Sequence, residues 1–210
     1  MNSEFAANRN PPEYYTIATP ETAQIKIKGS RFMGHALPAE SVETCETIID
    51  QQRRKFHDAS HVCYGYSIGI GDQAVVRSSD AGEPSGSAGA PIVNVIMGEG
   101  LTNILITVVR YFGGTKLGIG GLIQAYTEIT KAVLAKTQKI RKVISTTIEF
   151  QIAYDHLNQT LRELDKLNAG IMQQDYSEHV VMTVSIPVSE ESNLRERLTN
   201  LTSGSVQFIS

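Results

Sequence analysis

The sequence predicts an α+β protein of two domains, on three observations. Apolar, β-branched runs such as Ile104-Leu-Ile-Thr-Val-Val109 alternate with segments whose apolar residues recur at helical spacing, such as Leu122, Ile123, Tyr126, Ile129, Val133 and Leu134. The basic segment Lys139-Ile-Arg-Lys142 marks a change of rhythm. Behind it the elements run strand, helix, strand, strand, helix, strand. The expected division is a flexible tail over residues 1–13, an N-terminal domain over 14–141 and a C-terminal domain over 142–210.

Residues 1–10 are polar, carry Glu4 and hold no apolar stretch, so they do not read as a secretory signal. No apolar run approaches the roughly 20 residues that span a bilayer. With 41% hydrophobic and 20% charged residues the composition is that of a soluble globular protein. Cys45 and Cys63 are too few for a disulfide framework, so a reduced, cytoplasmic protein is expected.

Residues 14–18 and 24–28 read as strands. In the second, Ile25 and Ile27 face one side, Lys26 and Lys28 the other. Gly29-Ser30 permits a turn into a third strand, 31–37. Ser41 can cap a helix to Phe56, with Val42, Cys45, Ile49, Gln52 and Phe56 on one face. Arg53, Arg54 and Lys55 fall in its last turn, where cations complement the helix dipole. That placement accounts for them without a nucleic-acid contact. Residues 61–68 form a strand, 69–72 a turn, and 73–77 its hairpin partner. Residues 78–91 hold small residues and two prolines. Too poor in apolar groups to bury a core, they should lie on the surface or line a cleft, ahead of a short helix over 92–97.

The stretch from Arg110 to Gly121 joins the 104–109 strand to the next helix. Its glycines (Gly113, Gly114, Gly118, Gly120 and Gly121) permit positive φ and a close approach to another object. Free N–H groups at the start of that helix attract anions. Arg110 and Lys116 add charge, and Tyr111 and Phe112 offer flat surface for a base. This is no standard phosphate loop: Leu117 follows Lys116 where a Walker loop needs Ser or Thr, and Ile123 replaces the small residue of a dinucleotide fold.

In the C-terminal domain a strand over 143–153 precedes a helix over 155–168 with a Leu157, Leu161, Leu164, Leu167 stripe, stopped by Gly170. A hairpin follows, 171–176 with 179–188. Ser189 then caps a helix to Leu201, and 206–209 is a last strand. This βαββαβ order is the ferredoxin-like split arrangement. Residues 146–210 carry four Lys and Arg against nine Asp and Glu, the rest of the chain fifteen against thirteen. The acidic domain therefore suits a protein partner or a basic ribosomal surface better than bare nucleic acid.

Three motifs stand in order within residues 57–126: Ala59-Ser-His-Val-Cys-Tyr-Gly-Tyr66, Asp80-Ala-Gly-Glu-Pro-Ser-Gly-Ser-Ala-Gly89 and Val109-Arg-Tyr-Phe-Gly-Gly-Thr-Lys-Leu-Gly-Ile-Gly-Gly-Leu122. Together they resemble the YigZ/IMPACT family, and the remainder is similar to the elongation-factor-G-like domain of its bacterial members. The resemblance implies an N-terminal domain like the second domain of ribosomal protein S5, and a link to translation. Eukaryotic relatives compete for an activator of the amino-acid-starvation kinase. They carry an RWD-type domain not found here, so that partner does not transfer. The family's usual Asp-Asp-Gly-Glu is Asp80-Ala-Gly-Glu83 here, one carboxylate fewer.

The expected site is a cleft between the two glycine-rich bends. It would bind RNA, the ribosome or a translation factor through Glu83, Ser85, Gly86, Ser87, Gly89, Arg110, Tyr111, Gly113, Gly114, Lys116, Gly118, Gly120 and Gly121. One alternative is a small-substrate hydrolase, with Glu83 as general base, Ser85 or Ser87 as nucleophile and His61 as acid/base partner. Pro84-Ser-Gly-Ser-Ala lacks the first glycine of a nucleophile elbow. Another is a nucleotide or phosphate metabolite cradled by residues 85–89. His57, His61 and Cys63, even with His35, have no recognised zinc spacing, so neither metal nor cofactor is expected.

Overall fold

A computed structural model describes residues 13–209. The expected tail falls almost wholly outside the described residues, and Glu13 already belongs to the first strand. The chain divides into two compact units, Met1–Lys142 and Val143–Ser210.

In the first unit, β1 (Glu13–Ile17) pairs with β7 (Lys139–Val143) as a separate ribbon. The main sheet has the order β2 (Glu21–Ile27), β3 (Ser30–Pro38), β6 (Ile104–Tyr111), β4 (His61–Ile68), β5 (Val75–Ser79), and every pair is antiparallel. Lys28 and Gly29 turn β2 into β3 with φ of 45° and 83°, the double positive φ of a tight hairpin matched to sheet twist. The α1 helix (Val42–Lys55) is capped as expected, Ser41 Oγ accepting from the Thr44 N–H at 3.0 Å. It buries Cys45 and Ile49 with Tyr66 and Leu105 on one face of the sheet. On the other face, α2 (Gly89–Gly98) and α3 (Gly118–Leu134) set Ile92, Ile96, Tyr126 and Ile129 against Phe32, Ala36, Ile106 and Val108.

Several boundaries differ from expectation: β2 begins at Glu21 rather than at 24, α2 at Gly89 rather than at 92, and Lys139–Val143 is itself a strand. A 3-10 turn, Gly71–Gln73, delays β5 to Val75. And β6 continues through Arg110 and Tyr111, because it is the central strand: Arg110 faces Phe32 on one side and His61 on the other. Apolar periodicity ends at Val109, but the ladder does not.

In the second unit the antiparallel order is β11 (Gln207–Phe208), β8 (Ser145–Ile152), β10 (Val180–Pro187), β9 (Gly170–Tyr176). Ile148, Phe150, Met182 and Val184 meet Leu164 of α4 (Leu157–Lys166) and Leu194 and Leu198 of α5 (Glu191–Leu201). Two helix signals are corrected. Asn168, at φ 52°, takes the left-handed position after α4, a conformation Asn tolerates, and Gly170 instead opens β9. Ser189 sits inside a 3-10 turn, Val188–Glu190, so α5 starts later with no side-chain cap. No described helix is long and apolar enough to cross a membrane.

Candidate functional site

The end of β6 carries a buried charge. Arg110 is 5% exposed, and its Nη1 donates to Glu83 Oε1 at 2.6 Å. Its Nη2 donates to Ser30 Oγ at 3.3 Å. Tyr126, on the inner face of α3, donates its hydroxyl to the same Glu83 oxygen at 2.8 Å. A buried carboxylate persists only when paired and hydrogen-bonded, and Glu83 is both. The rings of Phe32 and Phe112 stand 5.4 and 5.6 Å from the guanidinium. Arg110 is thus not the free phosphate-binding cation that its place beside the glycines suggests; its charge is balanced inside the fold.

His61 is held at one of its ring nitrogens. Its Nδ1 lies 2.9 Å from the Ala81 carbonyl, which can only accept, so Nδ1 carries the proton. Nε2 faces Glu83 Oε2 at 3.8 Å. Nδ1 is thus held by the backbone, while Nε2 makes no hydrogen bond among the described residues. Cys63 Sγ lies against the Asp80 carbonyl and the Tyr126 hydroxyl, at 3.0 and 3.3 Å. Burial pushes its thiol up to about 12, so it is inert. Burial also raises the Tyr126 hydroxyl, which stays a neutral donor.

The first bend is closed from within. Asp80 Oδ1 accepts from the N–H groups of Ala88 and Gly89 at 2.9 and 2.8 Å, and Oδ2 accepts from Gly86 at 2.8 Å. Ser87 donates both its N–H and its hydroxyl to the Pro84 carbonyl. Gly86, Ser87 and Gly89 therefore present no open amide cradle, because the protein's own carboxylate fills it. Ser85 is exposed and makes no hydrogen bond to His61 among the described residues. Burial opposes ionisation of Asp80, but the amides of Gly89, Gly86 and Ala88 outweigh it and hold the carboxyl below its ordinary 3.8. Asp80→Asn is expected to lose about 1–3 kcal/mol at pH 7 in urea unfolding. The wild-type advantage should be full above pH 3.8 and fade as the pH falls through the lower folded-state value.

The second bend is closed at its start and open at its end. Phe112 N–H donates to Ser60 Oγ, and Gly113 N–H to Ser30 Oγ. Gly113 rests on the β2–β3 turn so closely that a Cβ there would stand 1.9 Å from the Gly29 carbonyl carbon. Beyond it, α3 starts after Leu117 with no side-chain cap. The N–H groups of Gly118, Ile119 and Gly120 meet no acceptor outside the helix among the described residues. A Cβ at Gly120 would touch nothing within 4 Å, and its φ is not positive. Neither packing nor conformation requires glycine there. Both bends line one cleft of about 320 Å³, with Glu83 and Pro84 on one side and Phe112, Lys116, Gly118 and Ile119 on the other.

Of the residues expected from the sequence, Glu83, Arg110, Lys116 and Gly118 line this cleft, whereas Gly86, Gly89, Gly113, Gly114, Gly120 and Gly121 are not among its lining residues; Ser30 and the polar roles of Asp80 and Tyr126 were not foreseen. Ser30 stands 80 positions from Arg110 with no local signal. Tyr126 read only as one of the apolar residues of its helix. Tyr111 points to the opposite face of the sheet from Arg110, where its hydroxyl donates to Asp58 at 2.9 Å.

A sequence profile of the Impact N-terminal domain matches residues 28–134, which is half of the chain and holds every residue of the cleft. This chain belongs to the IMPACT family. The resemblance carried by the three motifs is borne out. A second profile, a domain of unknown function (DUF1949), matches residues 150–205. The IMPACT family member YigZ of Escherichia coli K12 is 32% identical over 193 residues, 91% of this chain and 95% of that protein. The IMPACT family member YvyE of Bacillus subtilis is 30% identical, covering 91% and 88%. A crystal structure described as that of a hypothetical protein matches this IMPACT chain with a TM-score of 0.71 at 30% identity, over 95% of this chain and 98% of the other.

Proposed function

We propose that this IMPACT-family chain is a translation-linked binding protein that holds single-stranded RNA in the cleft between the two bends. One observation carries the reading: of the two glycine-rich helix starts, α2 is filled by Asp80 and α3 is left open. A phosphate set against the Gly118–Gly120 amides would meet the positive end of a 17-residue helix, with Lys116 beside it. Phe112 is half exposed at the rim, a platform on which an unpaired base stacks. Single strands fit because their bases are free to splay onto such a ring.

An S5-like first unit and a ferredoxin-like second unit belong to the same reading. The second is supported by its strand order, in which the first and third strands lie at the centre. The hydrolase alternative is less favoured because Glu83 is buried, with one carboxylate oxygen taken by Arg110 and Tyr126.

The test is retention of short single-stranded RNA as salt rises, for wild type and for Lys116→Glu with Gly120→Ala. Wild-type affinity should fall with log salt by about 0.7 per phosphate contact. The double variant should bind at least about tenfold more weakly. No wild-type binding at low salt would refute the reading.

A further inference from the structure

We infer that the cleft is one end of a longer RNA track, which crosses the β2–β3 hairpin tip onto the α1 face of the sheet. The inference rests on the RNA reading above and adds a second contact surface to it. Its geometry comes from strand register. Lys26 lies opposite Arg31, and Arg31 opposite Tyr111, so the three form one row across β2, β3 and β6. Directly opposed residues share a face, and neighbouring strands are about 4.8 Å apart. The Arg31 guanidinium stacks on the Tyr111 ring at 4.5 Å, leaving two cations and an aromatic in about 10 Å.

Both ends of the row are anchored. At one end, Lys28 and Gly29 form the hairpin tip, and Gly29 packs directly on Gly113 of the cleft bend. At the other, Tyr111 bonds Asp58 just past α1. Lys55, in the last turn of α1, sits over the Phe56 ring, and that ring packs 5.4 Å from His35. His35 lies on the same face of β3 as Arg31. The basic end of α1 therefore stands over the strand that carries the row.

The charges here are available. Lys26, Lys28, Arg31, Arg54 and Lys55 are all exposed. None makes an ion pair among the described residues, whereas Arg53 is held by Asp50 at 3.5 Å. A last-turn position explains cations on α1, but not the unpaired cations that two separate strands place on the same face of the sheet. In a chain of net charge −3, this one-sided concentration complements a polyanion. The aromatic within it favours RNA over an acidic protein segment.

The test compares RNA oligonucleotides of about 4 and about 16 nucleotides by fluorescence anisotropy across a salt series. Wild type should bind the longer RNA at least about tenfold more tightly, with a steeper salt slope. Lys26→Glu with Arg54→Glu should lose that gain and flatten the slope to that of the short RNA, whose affinity should not change. Lys28→Gln with Lys55→Gln makes the same test should the first pair fold poorly. Equal wild-type affinity for both lengths, or no change in the variants, overturns the track and leaves the cleft reading intact. No binding of either length removes both.

Discussion

Glu83→Ala is expected to destabilise the N-terminal unit by about 3–5 kcal/mol, read as a lower urea midpoint. The Glu83 side chain is 3% exposed and holds two donors on one oxygen. Its removal leaves Arg110 charged, buried and bonded only to Ser30 Oγ, with an Nε that already lacks a partner. Tyr126 loses its acceptor at the same time. The cost is that of an uncompensated charge rather than the net value of the pair. The double variant Glu83→Leu with Arg110→Met should therefore fall well short of the summed single losses, by a coupling of about 1–3 kcal/mol. A loss below about 1 kcal/mol for Glu83→Ala would mean that water reaches Arg110 and that the pair is not sealed.

Gly113→Ala should lose about 3 kcal/mol, while Gly120→Ala, seven positions on, should gain about 0.5 kcal/mol in the free protein. The opposite signs follow from what each Cβ would meet. At Gly113 it would stand 1.9 Å from one backbone atom of Gly29 and 2.2 Å from Ser30 N, and backbone cannot step aside as a side chain does. At Gly120 it would enter open space in the first turn of a helix, where Ala is preferred to Gly. Thermal or urea unfolding of the two variants reads both signs. A destabilised Gly120→Ala would show a packing role for that glycine and remove one support of the open helix start.

Most of the elements could be read from the sequence because their causes are local. The β4 strand, the Ser41 cap and the α1 face followed from alternation, capping chemistry and helical spacing. The glycine-rich bends were legible as bends. What filled them was not. Asp80 closes the first bend from six to nine residues upstream, a distance no periodicity encodes. The partners of Arg110 come from positions 27 and 80 away and meet it only once the sheet is assembled. The helix ends failed for a smaller reason: Asn168 and Gly170 could each stop α4, and the local chain gave no basis to choose.

The interlock of Arg110, Glu83, Tyr126 and Ser30 ties a strand, a bend, a helix and a hairpin to one another beneath the cleft. Reshaping that floor would mean dismantling the core. A ligand held there as proposed would meet a stiff mould, and nearly all of the ordering entropy of association would fall on that ligand. Discrimination between guests would rest on how readily each adopts the imposed shape.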